Sequence, residues 1–576
     1  TDIVQVLCTS RKSCRITAVP VDDESRVLGF NNPAELLRVE ELVRERERGG
    51  VPKLPEGDVL RTVETWRTDF AALTTQGTGN LNALRGALRA IYGNDPDIIG
   101  ERCEAFQELL QHAARILDRD ARVLLVRSPG RVNVMGRHVD HQGGHCNLMT
   151  MRFETLMAVS PRDDDLVRLH NLDAHRYPER SFSLSQLVGE LPWDDWLELV
   201  NSEKVIGMVR DYGGDWSQYF KAAVLRLQKK FRHQRLRGMD IVVAGNIPPA
   251  SGLSSSSSLV VGAVEATVTL NSLQTFPNQI VDLCGEGEWF VGTRGGSADH
   301  AAIRLGRQGE VIRVKFFDFA VEGTVPFPPD YVMAVCDSGV RAEKSSSARD
   351  QFNHRVSCYR IGLALIRRIF PQYAPLLYHL RDVNVRTLNV PLSRIYHILL
   401  ALPERATREE LWEQLPAETL DPLFSTHRQP ADGLYPIRGV VIYGLAECER
   451  ARIFSALLAQ TDIAAIGDLM NVSHNGDRVA ERKDDGTMAP FTADVSNARL
   501  LALMEDLESG DVERVRQAQL QWQPGAYGCS LPTIDHMVDI ALAVPGVAGA
   551  QLAGAGLGGC MMALVRRETF PALKEA

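Results

Sequence analysis

At 576 residues the chain exceeds one ordinary domain, so two to four folded units are expected. With 44% hydrophobic and 24% charged residues it reads as a soluble globular protein with ample core, and no apolar stretch approaches the ~20 residues a membrane helix needs. A formal charge of −9 removes any general electrostatic ground for a nucleic-acid partner.

The ten cysteines are scattered without a CxxC pair, which reads as reduced thiols in a cytoplasmic protein rather than a disulfide framework. No segment has the form of a signal peptide. The chain opens on Thr1 rather than Met and stops soon after a glycine-rich segment, so both ends are read as trimmed.

In chain order, residues 1–95 form an N-terminal extension with a strand-like segment at 14–21 and a charged amphipathic helix from Ala34 to Arg48. The string VLGFNNPAELLRVEE (27–41) resembles the closing strand and helix of sugar-nucleotide nucleotidyltransferases, without that family's glycine-rich start. The extension is therefore either a remnant of a bifunctional enzyme or a helical appendage with no chemistry. Arg122 to Arg127 is a strand leading into Ser128-Pro129-Gly130-Arg131. The basic run Lys229–Arg237 reads as the end of a solvated helix, where cations complement the negative dipole end, before it reads as a polyanion site. Ile241 to Ala244 is a second strand, and Leu259 to Leu270 a helix rich in small residues. Helices are expected at 361–381, 395–415, 443–460 and 497–520. Strands mixed with helices, without a strict βαβ rhythm, indicate α+β architecture.

Between that second strand and helix lies Ile247-Pro-Pro-Ala-Ser-Gly-Leu-Ser-Ser-Ser-Ser-Ser-Leu259. Five serines could form a low-complexity linker. Here the loop opens a helix, whose unpaired amides and positive dipole end favour an anion, and Gly252 lets backbone approach closely. The segment reads as a phosphate cradle, with Pro249, Ser251, Gly252, Leu253, Ser254, Ser255, Ser256 and Ser257 as nucleotide-binding residues. It is not a Walker loop, because no lysine comes after it. His138, His141 and His145 carry the spacing H-x2-H-x3-H; glycines make that segment a loop, which argues against zinc. Gly554-x-Gly556-x-x-Gly559 satisfies GxGxxG, but it leads into a strand-like run rather than a helix, which argues against a dinucleotide.

Pro129-Gly130-Arg131-Val132-Asn133-Val134-Met135-Gly136-Arg137-His138-Val139-Asp140-His141-Gln142-Gly143-Gly144 resembles the galactokinase signature PGRVNLIGEHTDYNGG. The serine loop resembles PLGGGLSSSASL, and Leu552–Cys560 resembles the C-terminal GAGFGGC motif, all in family order. Softer likenesses lie at Gly292–His300, Gly467–His474 and Tyr527–Ser530 with Asp535. On these motifs the chain is identified as similar to the GHMP kinases of galactokinase type over residues 120–570.

That resemblance implies a two-domain GHMP kinase fold (96–330 and 331–576) with the active site between the domains, and ATP with Mg²⁺ as cofactors. It places a catalytic base on Asp299 and its charge-neutralising partner on Arg131; from bare sequence an Asp–Arg pair reads first as a structural ion pair, and the motif context reverses that. It places sugar contacts on His138, Asp140, Gly296 and Phe352, the last where the family has Tyr. Metal ligands are expected at Ser256 and at Glu288, with Glu286 the second choice. Where galactokinases carry Glu before the motif His, this chain has Arg137. A guanidinium there suits an anionic group, and HVDHQGG is also similar to galacturonate kinases. The expected reaction is phosphorylation of the anomeric hydroxyl of a monosaccharide. A hexuronate substrate, the kinase half of a bifunctional enzyme and a non-catalytic sugar/ATP sensor are the alternatives.

Overall fold

The computed structural model describes residues 59–74, 82–211, 215–292, 296–317, 319–341, 346–483 and 485–576. The segments at 14–21 and 27–48, and with them any nucleotidyltransferase remnant, lie outside the described residues.

A mixed eight-stranded sheet runs in the order β1 (Leu60–Thr62), β2 (Arg122–Met135), β3 (Cys146–Pro161), β6 (Met239–Gly245), β4 (Leu166–Asn171) and β5 (Arg180–Ser183); β7 (Glu310–Lys315) pairs with the start of β3, and β8 (Ala320–Pro326) with β7. All pairings are antiparallel except β4 with β6. Side chains alternate between the two faces as the two-residue period requires. Val123, Leu156, Ala158 and Val242 join the cluster formed with the helices Val63–Thr74, Asn82–Tyr92 and Pro96–Ile116. Leu124, Val126, Met157, Val159, Ile241 and Val243 join the opposite cluster, under the helices Ser217–Lys230, Ser255–Leu270 and Pro277–Glu288. Burial on both faces explains why these strands read as unbroken apolar runs. The basic run does end a helix: Lys229 and Lys230 lie in the last turn of Ser217–Lys230.

The rest of the chain builds a three-stranded antiparallel sheet from β9 (Tyr331–Asp337), β12 (Val547–Leu552) and β13 (Cys560–Arg566), with a small hairpin of β10 (Ala480–Arg482) and β11 (Met488–Pro490). The helices Ser346–Ile369, Ile437–Ala459, Ile463–Asp477 and Pro532–Ala543 flank the three-stranded sheet. A separate cluster joins the two halves, bringing Val132, Val134, Met135 and Leu253 against Phe454, Leu469, Met470, Met562 and Leu564.

Several expected helix limits shift for identifiable reasons. The helix expected at 361–381 spans Ser346–Ile369 and stops before Pro371. The one expected at 395–415 is two pieces, Leu392–Leu400 and Arg408–Trp412, on either side of Pro403. That at 497–520 divides into Asn497–Glu508 and Val512–Gln517 at Gly510, whose φ is +72°.

Candidate active site

The serine loop folds into a turn in which Ala250, Gly252 and Ser254 all have positive φ (57°, 78° and 62°). Such backbone turns amides inward and makes an anion-binding concavity. The helix Ser255–Leu270 starts immediately after it, and no side chain caps its N-terminus. Its first amides thus present to the cavity the positive end that phosphate favours. The serine hydroxyls divide their work. Ser251 Oγ is buried and donates to Pro248 O at 2.6 Å, so its side chain braces the loop and does not face a phosphate as the sequence reading expected. Ser258 Oγ donates to Ser128 O and accepts from Thr155 Oγ1, tying the helix to β2 and β3. Ser254 Oγ donates to Asp299 Oδ2 at 2.5 Å.

Asp299 lies in the first turn of the helix Ala298–Leu305. Arg131, near the middle of β2, grips its other oxygen, with Nε at 2.7 Å and Nη2 at 2.6 Å from Oδ1, while Nη1 donates to Gly252 O at 2.7 Å. The arginine is buried, but the Asp299 side chain keeps 32% of its exposure and opens into the cavity. Asp299, Arg131 and the serine turn are therefore one connected unit.

The glycines of the C-terminal motif fit against this unit from the other side. A Cβ on Gly554 would stand 2.5 Å from Gly252 O, and one on Gly559 2.4 Å from Ser251 O. Cys560 N donates to Ser251 O at 3.0 Å. The GxGxxG spacing thus serves close backbone packing against the serine loop, and the chain runs from it directly into strand β13.

Glu288, at the end of the helix Pro277–Glu288, accepts from Ser257 Oγ at 2.8 Å, and His300 Nε2 lies 3.6 Å from it. Glu286 pairs with Arg226 instead. Of the two acids considered from sequence, only Glu288 reaches the serine helix. The adjoining Ser256 lines the same cavity. Serine hydroxyls and a carboxylate are hard oxygen donors of the kind Mg²⁺ prefers.

At the other end of the cavity β2 breaks into a turn in which Gly136 and His138 have φ of +102° and +60°. Arg137 does not reach outward. Its side chain is 1% exposed, and Nη2 donates to Asp477 Oδ2 at 2.7 Å and to Ser473 Oγ at 3.0 Å. His138 stacks on Tyr527 with 4.4 Å between ring centroids. Burial pushes its pKa down to about 4, leaving it neutral at physiological pH. The Cys529 thiol donates to Asp477 Oδ1 at 3.1 Å and lies 3.3 Å from His138 Nε2. His138, Asp477 and Cys529 are therefore a hydrogen-bonded trio, and the Arg137 charge against the same carboxylate opposes a cation there. The three signature histidines do not converge: His141 Nδ1 meets Asp140 at 3.1 Å, and His145 pairs with Glu322.

Asp140, Gly296 and Phe352 line the cavity beside Asp299. Gly296 passes so close to Asp140 that a Cβ there would lie 2.1 Å from Oδ2. Residues 293–295, within one of the softer motif likenesses, are outside the described set. The whole cavity measures about 1740 Å³ and extends past the serine loop into an apolar arm walled by Leu172, Tyr177, Val205, Ile206, Val209 and Tyr219. Sequence reasoning missed this arm, as well as Asp477 and Glu447. Their only signals are ordinary apolar spacing and isolated acids in helices.

Residues 218–307 match the GHMP kinases N terminal domain, 503–576 the GHMP kinases C terminal, and 111–161 the galactokinase galactose-binding signature. The chain is 28% identical over 451 residues to a galactokinase of Roseiflexus sp. (strain RS-1), covering 78% of this chain and 85% of that protein. It is 25% identical over 453 residues to a galactokinase of Chloroflexus aurantiacus, covering 78% and 86%. Together these matches support a galactokinase-like GHMP sugar kinase. Its fold is that of Lactococcus lactis galactokinase, solved in complex with galactose, with a TM-score of 0.54, 19% identity, and coverage of 81% of this chain and 91% of that one. As in GHMP kinases generally, the phosphate donor is ATP. Among the described residues no helix is long and apolar enough to cross a membrane.

Proposed function

We propose that the protein transfers the γ-phosphate of ATP to the anomeric hydroxyl of a neutral, galactose-type monosaccharide, giving ADP and a sugar 1-phosphate. The observation that carries this reading is the position of Asp299. It is open to the cavity, held on one oxygen by Arg131 and on the other by Ser254, at the mouth of the uncapped serine helix.

In this reading the triphosphate rests on the amides of residues 252–257, and the nucleoside occupies the apolar arm. The sugar lies over Asp140, Gly296, His138 and Phe352. Asp299 accepts the proton of the attacking hydroxyl, which is a poor nucleophile while protonated. Arg131 bridges that carboxylate and the Gly252 carbonyl, so its cation stands where charge develops on the transferring phosphoryl. Ser256, Ser257 and Glu288 would hold Mg²⁺, which neutralises phosphate charge when bound. The site lies between the unit of the eight-stranded sheet, which takes in β1 (Leu60–Thr62) and so begins before the expected residue 96, and one of residues 331–576.

The buried ion pair of Arg137 with Asp477 favours a neutral sugar over a hexuronate. A guanidinium already matched by a carboxylate contributes no net positive charge to attract an acid group. A panel of galactose, galacturonate, glucuronate and arabinose, read as sugar-dependent ADP release, tests this. Turnover highest with galactose supports the reading. Preference for galacturonate would restore Arg137 as an anion clamp, and sugar binding without any turnover would mark a sensor.

A further inference from the structure

The sugar-side turn is built from backbone that does not hold itself. Two of its three residues from 136 to 138 lie in the left-handed region, and His138 has no glycine freedom to make that easy. Such geometry persists where the surroundings impose it. Asn133 Nδ2 and Cys146 Sγ both donate to Gly136 O at 3.2 Å, and the group that meets the turn's amides comes from the C-terminal half of the chain. Glu447, in the middle of the helix Ile437–Ala459, directs Oε1 at two successive amides of the turn, Gly136 N at 2.8 Å and Arg137 N at 3.1 Å. Its other oxygen accepts from Ser473 Oγ at 2.9 Å and from Arg450 Nε at 2.7 Å. Ser473 Oγ in turn accepts from Arg137 Nη2. The circuit therefore closes on both the backbone and the side chain of Arg137.

Glu447 is fully buried, yet its pKa is held below the usual carboxylate range. Burial works against this, and the charges of Arg450 and Arg137 together with the turn amides outweigh it. Arg450 is itself fixed by the carbonyls of Gln521 and Gln523 at 3.1 and 3.0 Å.

We propose that Glu447 is the positioning residue of the sugar-binding turn: its carboxylate clamps the Gly136 and Arg137 amides and thereby sets where His138 and Asp140 meet the sugar. This rests on the proposed function, in which that turn faces the acceptor. Glu447 touches neither the serine loop nor Asp299, so its influence falls on sugar recognition and leaves the nucleotide end unchanged. A displacement of about 1 Å in a positioning element is enough to cost ~100-fold.

The test is Glu447→Gln in the full chain. The amide keeps an oxygen for the turn but loses the charge that Arg450 and Arg137 balance. Two readouts are taken: the KM for galactose against that for ATP, and hydrogen–deuterium exchange of the peptide covering 135–141. The expected result is a galactose KM raised about tenfold, an ATP KM within about twofold, and exchange at 136–137 accelerated at least about tenfold while the serine loop is unchanged. Should Glu447→Gln not fold, Ser473→Ala gives the same pattern at smaller amplitude. A folded variant with unaltered exchange at 136–137, or with both KM values raised in equal proportion, overturns the proposal. Wild-type protein inert toward galactose would instead overturn the substrate reading, and the exchange measurement would still decide for or against the clamp.

Discussion

The two ends of the cavity are built on different plans. At the phosphate end the parts are local and mostly backbone: a turn with three positive φ values, an uncapped helix, and glycines that let a second loop approach. Its ion pair, Arg131 with Asp299, joins two segments of the same motif set. At the sugar end the parts are side chains that find partners more than 300 residues away, Arg137 on Asp477 and the turn amides on Glu447. In the proposed function the phosphate end handles the same triphosphate whatever the acceptor. At the sugar end Arg137 is matched by the carboxylate of Asp477 from the opposite half of the molecule.

Perturbing each end separately sharpens the contrast. The largest effect is expected from Arg137→Glu, which would bury a carboxylate against Asp477. A loss of about 3–5 kcal/mol in urea unfolding is predicted, with partial recovery in Arg137→Glu/Asp477→Arg. Unchanged stability would mean that the pair does not hold the turn. Acid comes next. His138, His354 and His427 are buried, with pKa values pushed down to about 4, 3 and 4 from an ordinary 6.5, chiefly by loss of solvent. Below pH 6.5 the unfolded chain therefore binds more protons than the folded one. Stability complete above that pH should fall as pH drops toward 4, by about 1.4 kcal/mol per pH unit for each group. Melting curves between pH 7.5 and 4.5 check this, and a flat profile would contradict neutral burial of these rings. The smallest effect is at the phosphate end: Gly554→Ala, meeting Gly252 O at φ +74°, should raise the ATP KM about tenfold and spare the galactose KM.

What the sequence revealed divides along the same line. The serine loop, Arg131, Asp299 and the GxGxxG segment sit in short strings that resemble galactokinase motifs, so the fold and the nearness of these residues to one another followed from that resemblance. Glu288 was singled out by its place upstream of Asp299 in the family pattern, and it does reach the serine helix through Ser257. Arg137 was visible as a departure, but its meaning depended on Asp477, 340 positions on, in a helix whose spacing says nothing of what its acid faces. The apolar arm was hidden for a related reason: its residues look like ordinary core until the fold leaves a cavity beside them.

The central claim is that Asp299, at the mouth of the serine helix, accepts a proton from a sugar hydroxyl as phosphate is transferred. The most direct measurement compares galactose-dependent ADP release by the wild type and Asp299→Asn at saturating ATP and Mg²⁺. The account predicts a kcat lowered by about 10²–10⁴ with galactose binding retained. Full turnover in the folded Asp299→Asn protein would contradict it.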